Sequence, residues 1–326
     1  MSTSASGETS AVDLAIVIVS ANSAHWLEPC LTSVYERSGG LVLDVVVVDN
    51  ASTDDTQELV RRRFPAARIV ACENRGFAFG NNRALETIDA PFVLFLNPDT
   101  EILSGTLAHV LGELASRPDV GLVGVNQVDA EGHPLPTIRY FPSVSRLVGD
   151  MVGLERIHSR PSWLGERELR AEPYATETAC DWTSGSFMLA RREALQSAGF
   201  MDERFFLFCE EPDLCLRMKQ AGWQIRHLPS LTVLHHGHGE RWHEKLLAQE
   251  AYSRRLYMQK HFSAPRRLVG TGALALGYGA RAALIGRDRG LTRRRHSAAL
   301  RALRTLVGSA PPPFGEPPHQ AVSRRD

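Results

Sequence analysis

The chain has 326 residues, 43% of them hydrophobic, and its 37 basic and 37 acidic side chains cancel. That length can bury a large core, as one long domain or as a domain with an appendage. Five scattered cysteines, odd in number and without a CxxC pair, argue against a disulfide framework or a zinc cluster and fit a reducing cytosol.

Residues 1–12 are small and polar, with no basic or apolar stretch, and read as a disordered start and not a signal peptide. Strand and helix then alternate. Strands are expected at Leu14–Ser20, Leu43–Val48, Arg68–Ala71, Phe92–Leu96 and Val120–Val125, with helices at Ala24–Glu36, Asp54–Arg63, Phe77–Thr87 and Gly105–Ser116. This rhythm implies an α/β fold with a mainly parallel, Rossmann-like sheet flanked by helices. From residue 126 to about 175 the pattern reads as loops and short helices. A strand at Trp182–Ala190, a helix from Arg191, an acidic helix start at Glu210 and a short apolar strand before His235 follow. The arrangement is a nucleotide-binding half, 13–125, and an acceptor half, 126–262, sharing one sheet.

Two strand ends carry carboxylates. Four valines, Val45–Val48, end in Asp49-Asn50, and Val93–Leu96 ends in Asn97-Pro98-Asp99. In an open α/β sheet, ligands bind beyond the carboxyl ends of the strands. A carboxylate at Asp99 suits Mg2+ or Mn2+ holding a diphosphate, and one at Asp49 can accept hydrogen bonds from a base or a ribose hydroxyl. Read alone, Asn97-Pro98-Asp99 is a turn in which Asp99 caps a following helix. Two such ends on one edge favour a nucleotide-diphosphate pocket over two coincidental turns.

Three further segments bear chemistry. In Glu73–Asn82, Gly76 and Gly80 allow close backbone approach while Asn74 and Asn82 offer amides, although a helix start with two packing glycines explains the segment by itself. Glu210, Glu211 and Asp213 follow the aromatic run Phe205-Phe206-Leu207-Phe208. Apolar surroundings raise a carboxylate's pKa and make it a useful proton acceptor for an alcohol. Asp213 and Arg217, four apart on a helix, read as an ion pair, which leaves Glu211 and then Glu210 as base candidates. His235-His236-Gly237-His238 supplies imidazoles, of which one completing an oxygen-rich metal shell fits better than a zinc site.

From Tyr252 to Thr305 there are 13 Lys and Arg against one acid, Asp288. The apolar stretch 268–280 inside this region is shorter than the roughly 20 residues that span a bilayer. Basic flanks around it suit peripheral attachment to the cytoplasmic face of an anionic membrane, with a solvated basic tail as the plain alternative. No interleaved aromatics or reading motif point to nucleic acid. The proline-rich residues 310–326 read as disordered.

Taken together, these blocks resemble the family 2 glycosyltransferases, inverting enzymes of GT-A fold, across about residues 14–262. The resemblance rests on Ser20 and Asn22, Val48–Asp54, Asn74-x-Gly76, Asn97–Asp99, Ser184-Gly185-Ser186, Gly199–Phe206, Glu210–Asp213, Ala221-Gly222-Trp223 and the His235 block. It is greatest to bacterial rhamnosyltransferases that move L-rhamnose from dTDP-rhamnose to a lipid-linked acceptor. The features nearest that branch are Arg139-x-x-Pro142-Ser143, Trp182-x-Ser184-Gly185-Ser186 and the basic C-terminus, 263–309. The resemblance implies that Ser20, Asn22, Asp49, Asn74, Gly76, Asn82 and Asn97 face the nucleotide sugar, and that Arg139, Trp182 and Gly185 face a lipid-linked or glycan acceptor. It further implies that Asp99 and His235 hold Mg2+ or Mn2+ and that Glu211, with Glu210, is the base. Three departures stand out: the metal motif has one carboxylate, the usual Glu-Asp pair is Glu210-Glu211, and no Ser follows the His-Gly segment near Gly239. A sugar-nucleotide pyrophosphorylase, disfavoured by the lack of a Gly-rich basic loop after the first strand, and a membrane-docked scaffold are the competing readings.

Overall fold

A computed structural model describes residues 11–154, 157, 160–237, 244–284 and 291–315. His238, Gly239, Arg287, Asp288, Arg289 and the ends 1–10 and 316–326 lie outside it.

The first half alternates β1 (Leu14–Ser20), α1 (Ala24–Glu36), β2 (Leu43–Asn50), α2 (Thr56–Arg63), β3 (Arg68–Cys72), α3 (Phe77–Leu85) and β4 (Phe92–Leu96). Then come β5 (Thr100–Ser104), α4 (Leu107–Ala115), β6 (Val120–Val128), β7 (Ile138–Arg139), α5 (Val144–Met151), α6 (Glu172–Ala175), β8 (Thr178–Ala179), β9 (Trp182–Thr183), β10 (Phe187–Arg191), α7 (Arg192–Ala198), α8 (Glu210–Gln220) and β11 (Gln224–His235). The chain closes with α9 (Glu244–His261), α10 (Ala264–Leu284) and α11 (Leu291–Leu306).

The central sheet runs β3-β2-β1-β4-β10-β6-β11-β5, with β8 added to β11. Its first four strands are parallel, as βαβ crossovers require. β10 runs antiparallel between β4 and β6, and β5 runs antiparallel on the β11 edge. Successive residues of the parallel strands feed opposite faces. Leu14, Ile16, Ile18, Val45 and Val47 pack on α1 and α4, while Ala15, Val17, Val46 and Val48 join a core completed by α3, α7 and α8. Because both faces are covered, these strands are continuous apolar runs without alternation. A separate core joins α9, α10 and α11 to Leu147 and Met151 of α5.

Several expectations change. Asp99 caps no helix: Thr100 begins β5, because His235 and Leu234 of β11 pair with Thr100 and Glu101. The expected strand Trp182–Ala190 breaks at Ser184-Gly185-Ser186. β9 pairs with β7 in a small second sheet, while β10 enters the main one. The strand before His235 is long, twelve residues, with register breaks. α2 begins at Thr56 and not Asp54, because the Asp54 carboxylate accepts from the Thr56 and Ala24 backbone N–H groups at 3.2 and 3.0 Å. α4 likewise starts after its Thr106 cap. At the other end, residues 311–315 turn back so that Phe314 stacks on Phe206, ring centres 4.5 Å apart.

Candidate active site

The carboxyl ends of β1, β2, β4, β6 and β11 and the starts of β10 and β5 lie on one edge of the sheet, so the topology gathers the strand-end residues there. Ser20 and Asp49 are register partners, both buried, and the Ser20 hydroxyl has no hydrogen-bond partner. Asp49 accepts from the Ser52 N–H at 3.1 Å and from Gln57 at 2.5 Å. Asn22, with φ +56, accepts from the Thr53 N–H at 2.7 Å and ties the loop after β1 to the loop after β2. Asn97 is anchored through its N–H to the Ser186 carbonyl, 3.1 Å.

Asp99 and His235 meet on this edge. The Asp99 Oδ2 and His235 Nε2 are 3.4 Å apart, and the His236 N–H donates to the Asp99 carbonyl. His236 turns away, pairing with Glu101 at 2.8 Å and packing on Trp26. One carboxylate oxygen and one imidazole nitrogen at that spacing fit adjacent ligands of a single cation, since ligand distances of about 2.1 Å at right angles give about 3 Å. Among the described residues, the cluster of three ligand-type side chains close enough to share an ion is elsewhere, at Asp129, Glu131 and His133. There the Asp129 carboxylate is occupied by the Glu131 and His133 N–H groups of its own turn.

Beside these residues opens a cleft of about 390 Å3, lined by Asn97, Arg139, Trp182, Gly185, Glu210, Glu211 and His235, with Glu166, Arg167, Glu250 and Arg254 in its wall. Glu210 and Glu211 open α8, and the preceding Phe208 and Cys209 both have φ +69. Two consecutive side-chain-bearing residues in the left-handed region carry strain of about 1–3 kcal/mol each, and such strain is a common feature of functional turns. The segment is pinned by the Leu207 carbonyl, which accepts from Ser253 at 2.7 Å. Burial pushes the Glu210 carboxyl well above its ordinary value, and the Glu211 charge adds to this. Burial also raises Glu211, opposed by its own N–H, by the Arg139 charge and by a hydrogen bond from the Gly185 N–H. Gly185 lets Glu211 come close: a Cβ there would lie 2.5 Å from Glu211 Oε1 and would push that carboxylate aside.

The structure therefore joins Asn97, Arg139, Trp182, Gly185, Glu210, Glu211 and His235 around one hollow, with Asp99 reaching it through His235. Ser20, Asn22 and Asp49 lie on the same sheet edge but do not line this cleft. Three others, Asn82, Gly76 and Asn74, do not line it either. Asn82 donates to the Met201 carbonyl and Glu203 at 2.9 and 3.0 Å and accepts from the Met201 N–H, so both ends of its amide are used. Gly76, φ +103, is required because a Cβ would strike the Phe206 carbonyl at 2.2 Å. Asn74 accepts from the Gly76 N–H. The wall residues Glu166, Arg167 and Arg254 escaped the sequence reading. They lie in an irregular stretch and a distant helix, joined by the Glu166–Arg254 ion pair, 2.9 Å.

This sheet and edge define a class. A solved structure of the mannosyltransferase PcManGT from Pyrobaculum calidifontis in complex with GDP-Man and Mn2+ resembles 93% of this chain and 89% of its own with a TM-score of 0.53 at 19% identity. GalNAc-T7 with UDP, GalNAc and Mn2+ gives 0.58 over 92% of this chain and 57% of that one at 12% identity. The fold is that of the GT-A glycosyltransferases. The profile of Glycosyl transferase family 2 matches residues 15–197, more than half of the chain, and the chain belongs to that family. Its curated relatives include N-acetylglucosaminyl-diphospho-decaprenol L-rhamnosyltransferase of Mycobacterium tuberculosis, 32% identical over 207 residues, 60% of this chain and 66% of that protein. Rhamnosyltransferase WbbL of Escherichia coli K12 is 26% identical over 205 residues, 57% of this chain and 74% of its own. The matched stretch thus spans just under two thirds of the mycobacterial relative. Membership of this family sets aside the pyrophosphorylase reading.

Proposed function

We propose that this chain moves a sugar, L-rhamnose from dTDP-rhamnose, onto a hydroxyl of a lipid-linked acceptor by single displacement with inversion. The observation that carries the reading is Glu211, held by the Gly185 N–H beside Arg139 in the cleft that His235 and Asn97 also line. Glu211 takes the acceptor hydroxyl proton as that oxygen bonds to the anomeric carbon. The bond from that carbon to the diphosphate breaks, and the nucleoside diphosphate departs with the electron pair. The raised pKa of Glu211 brings it nearer the operating pH, where a general base is most effective. Asp99 and His235 would hold Mg2+ or Mn2+, which when bound would neutralise charge on the departing diphosphate. Asp49, at the end of β2, serves the nucleoside. L-rhamnose and the lipid-linked acceptor follow the names of the relatives, and the dTDP carrier follows the family resemblance of the sequence. The test is hydrolysis and transfer with the purified chain and a panel of nucleotide sugars: dTDP-rhamnose turns over fastest, with Mn2+, and loses metal-dependent binding in Asp99→Ala. Turnover with no member of the panel would overturn the reading.

The same proposal extends to the inner face of the plasma membrane. Among the described residues no helix is long and apolar enough to cross a membrane. α10, however, exposes Leu268, Val269 and Leu276 to 75, 55 and 78%, while Leu274, Tyr278 and Ala282 face the helical core. Arg266, Arg267 and Arg281 flank that stripe, a pattern suited to the interface of an anionic leaflet. Co-sedimentation with phosphatidylglycerol vesicles is expected to fall at least tenfold in a Leu268→Ser, Leu276→Ser variant, since tenfold is ~1.4 kcal/mol and each leucine contributes about 1.5–3 kcal/mol at full depth. Unchanged binding would refute the docking face.

A further inference from the structure

Among the described residues, two arginines of the cleft wall, Arg139 and Arg167, form no ion pair. Arg139 and Arg167 face each other as an isolated antiparallel pair. The flanking bonds, Tyr140 N–H to the Glu166 carbonyl at 2.8 Å and Glu168 N–H to the Ile138 carbonyl at 3.0 Å, make them a non-hydrogen-bonded pair. In that geometry the Cα atoms are about 4.5 Å apart and both side chains leave the same face of the ribbon. On its other side Arg139 is paired with Trp182, its guanidinium 5.4 Å over the indole ring. Like charges directly opposite are destabilising, and among the described residues neither guanidinium has an ion pair or a side-chain hydrogen bond. The Arg139 Nε is sealed from solvent with no acceptor.

The nearby acids do not relieve this. Glu166 and Glu250 are both engaged by Arg254, at 2.9 and 3.0 Å. Glu210 is held toward its neutral form by burial. Glu166 and Glu211 act on Arg139 only through space, with no ion pair to it, and burial together with the Arg167 charge outweighs them and draws Arg139 down to about 10. All of these groups line the one cleft.

Building on the glycosyl-transfer reading, we propose that Arg139 and Arg167 form an anion subsite on the acceptor side of the cleft, which binds the diphosphate of a diphosphate-linked acceptor and so brings its sugar hydroxyl to Glu211. Two planar guanidinium forks on one face match the several oxygens of a diphosphate better than one carboxylate, and Trp182 supplies a flat wall beside them. The glycosyl-transfer reading assigns the donor's diphosphate to Asp99 and His235, so the two anion positions can be tested one without the other.

Calorimetric titration with inorganic pyrophosphate in EDTA tests this without donor or metal, so it succeeds or fails independently of sugar transfer. Arg167→Gln, at a partly exposed position, and Arg139→Gln should each weaken pyrophosphate about 10- to 100-fold, the range of a lost charge-assisted contact, with Arg167→Lys intermediate. Asp99→Ala should leave this affinity unchanged, and Arg167→Gln should leave dTDP binding with Mn2+ unchanged. Thermal melting of each variant checks that it is folded. No pyrophosphate binding by the parent chain, loss of it in Asp99→Ala, or equal weakening of dTDP and pyrophosphate in Arg167→Gln would each overturn the proposal.

Discussion

The first turn of α8 carries three carboxylates in four residues, and its two sides meet opposite fates. On the cleft side, burial pushes Glu210 and Glu211 up, and the Arg139 charge acting on Glu211 does not outweigh it. On the side packed against α9, Asp213 is as deeply buried, yet a hydrogen bond from His261 and the charges of Arg217 and Lys260 outweigh that burial and hold it below the ordinary range. Its oxygens lie 2.7 Å from His261, 2.6 Å from Lys260 and 2.8 Å from Arg217. Burial alone therefore does not decide what a carboxylate does; the partners supplied by the neighbouring helix do. One side stores basicity, while the other bolts α9 to the catalytic domain.

The comparison breaks most visibly in Glu211→Gln. General-base assistance contributes about 10²–10⁴-fold, so kcat should fall by that range while donor affinity and the melting temperature stay near those of the parent. The parent's rate should climb with pH through a range above that of an ordinary glutamate, and the variant should lose that limb. Near-normal turnover would move the base elsewhere. Asp213→Asn acts on the other side: it leaves Arg217, Lys260 and His261 without their shared anion. Removing one partner of a buried pair costs about 3–5 kcal/mol, which denaturant titration would detect as a lowered midpoint. The stability held by Asp213 is present above the unfolded aspartate range and is lost as pH falls through the folded one, so parent and variant should converge in acid. A variant as stable as the parent at neutral pH would show that α9 is held by its apolar face alone.

The same contrast explains what could be read from the sequence. β1, α1 and β4 have the bounds expected from their residues, because a strand covered on both faces is a continuous apolar run and each βα unit is local in sequence. The pairing of Asp213 with Arg217 was equally local, four residues apart on one helix. Elements that depend on distant partners were not legible. β5 exists because His235 pairs with Thr100, and an Asn-Pro-Asp turn serves a strand as well as a helix. The break at Gly185 is set by Glu211, and the Arg139–Arg167 pair by a ribbon contact across an irregular stretch. Asn82 depends on distant partners in the same way: its amide near a helix start bonds to Met201 and Glu203, more than a hundred residues on.

Glu210→Gln gives the smallest and most diagnostic effect. Glu210 Oε2 is buried with no hydrogen-bond partner, and the folded chain holds its proton more tightly than the unfolded chain does. As pH rises above the unfolded glutamate range, the unfolded state ionises first, so the folded state loses relative stability until the pH passes the folded pKa. A neutral amide of the same shape carries no such dependence. Glu210→Gln should therefore match the parent near pH 4 and exceed it by about 1 kcal/mol or more at pH 8, each tenfold difference in proton affinity being worth ~1.4 kcal/mol. Melting temperatures taken across that span read this directly. A variant less stable than the parent at pH 8 would mean that Glu210 is ionised in the folded chain, and the cleft side of α8 would then resemble the side that holds Asp213.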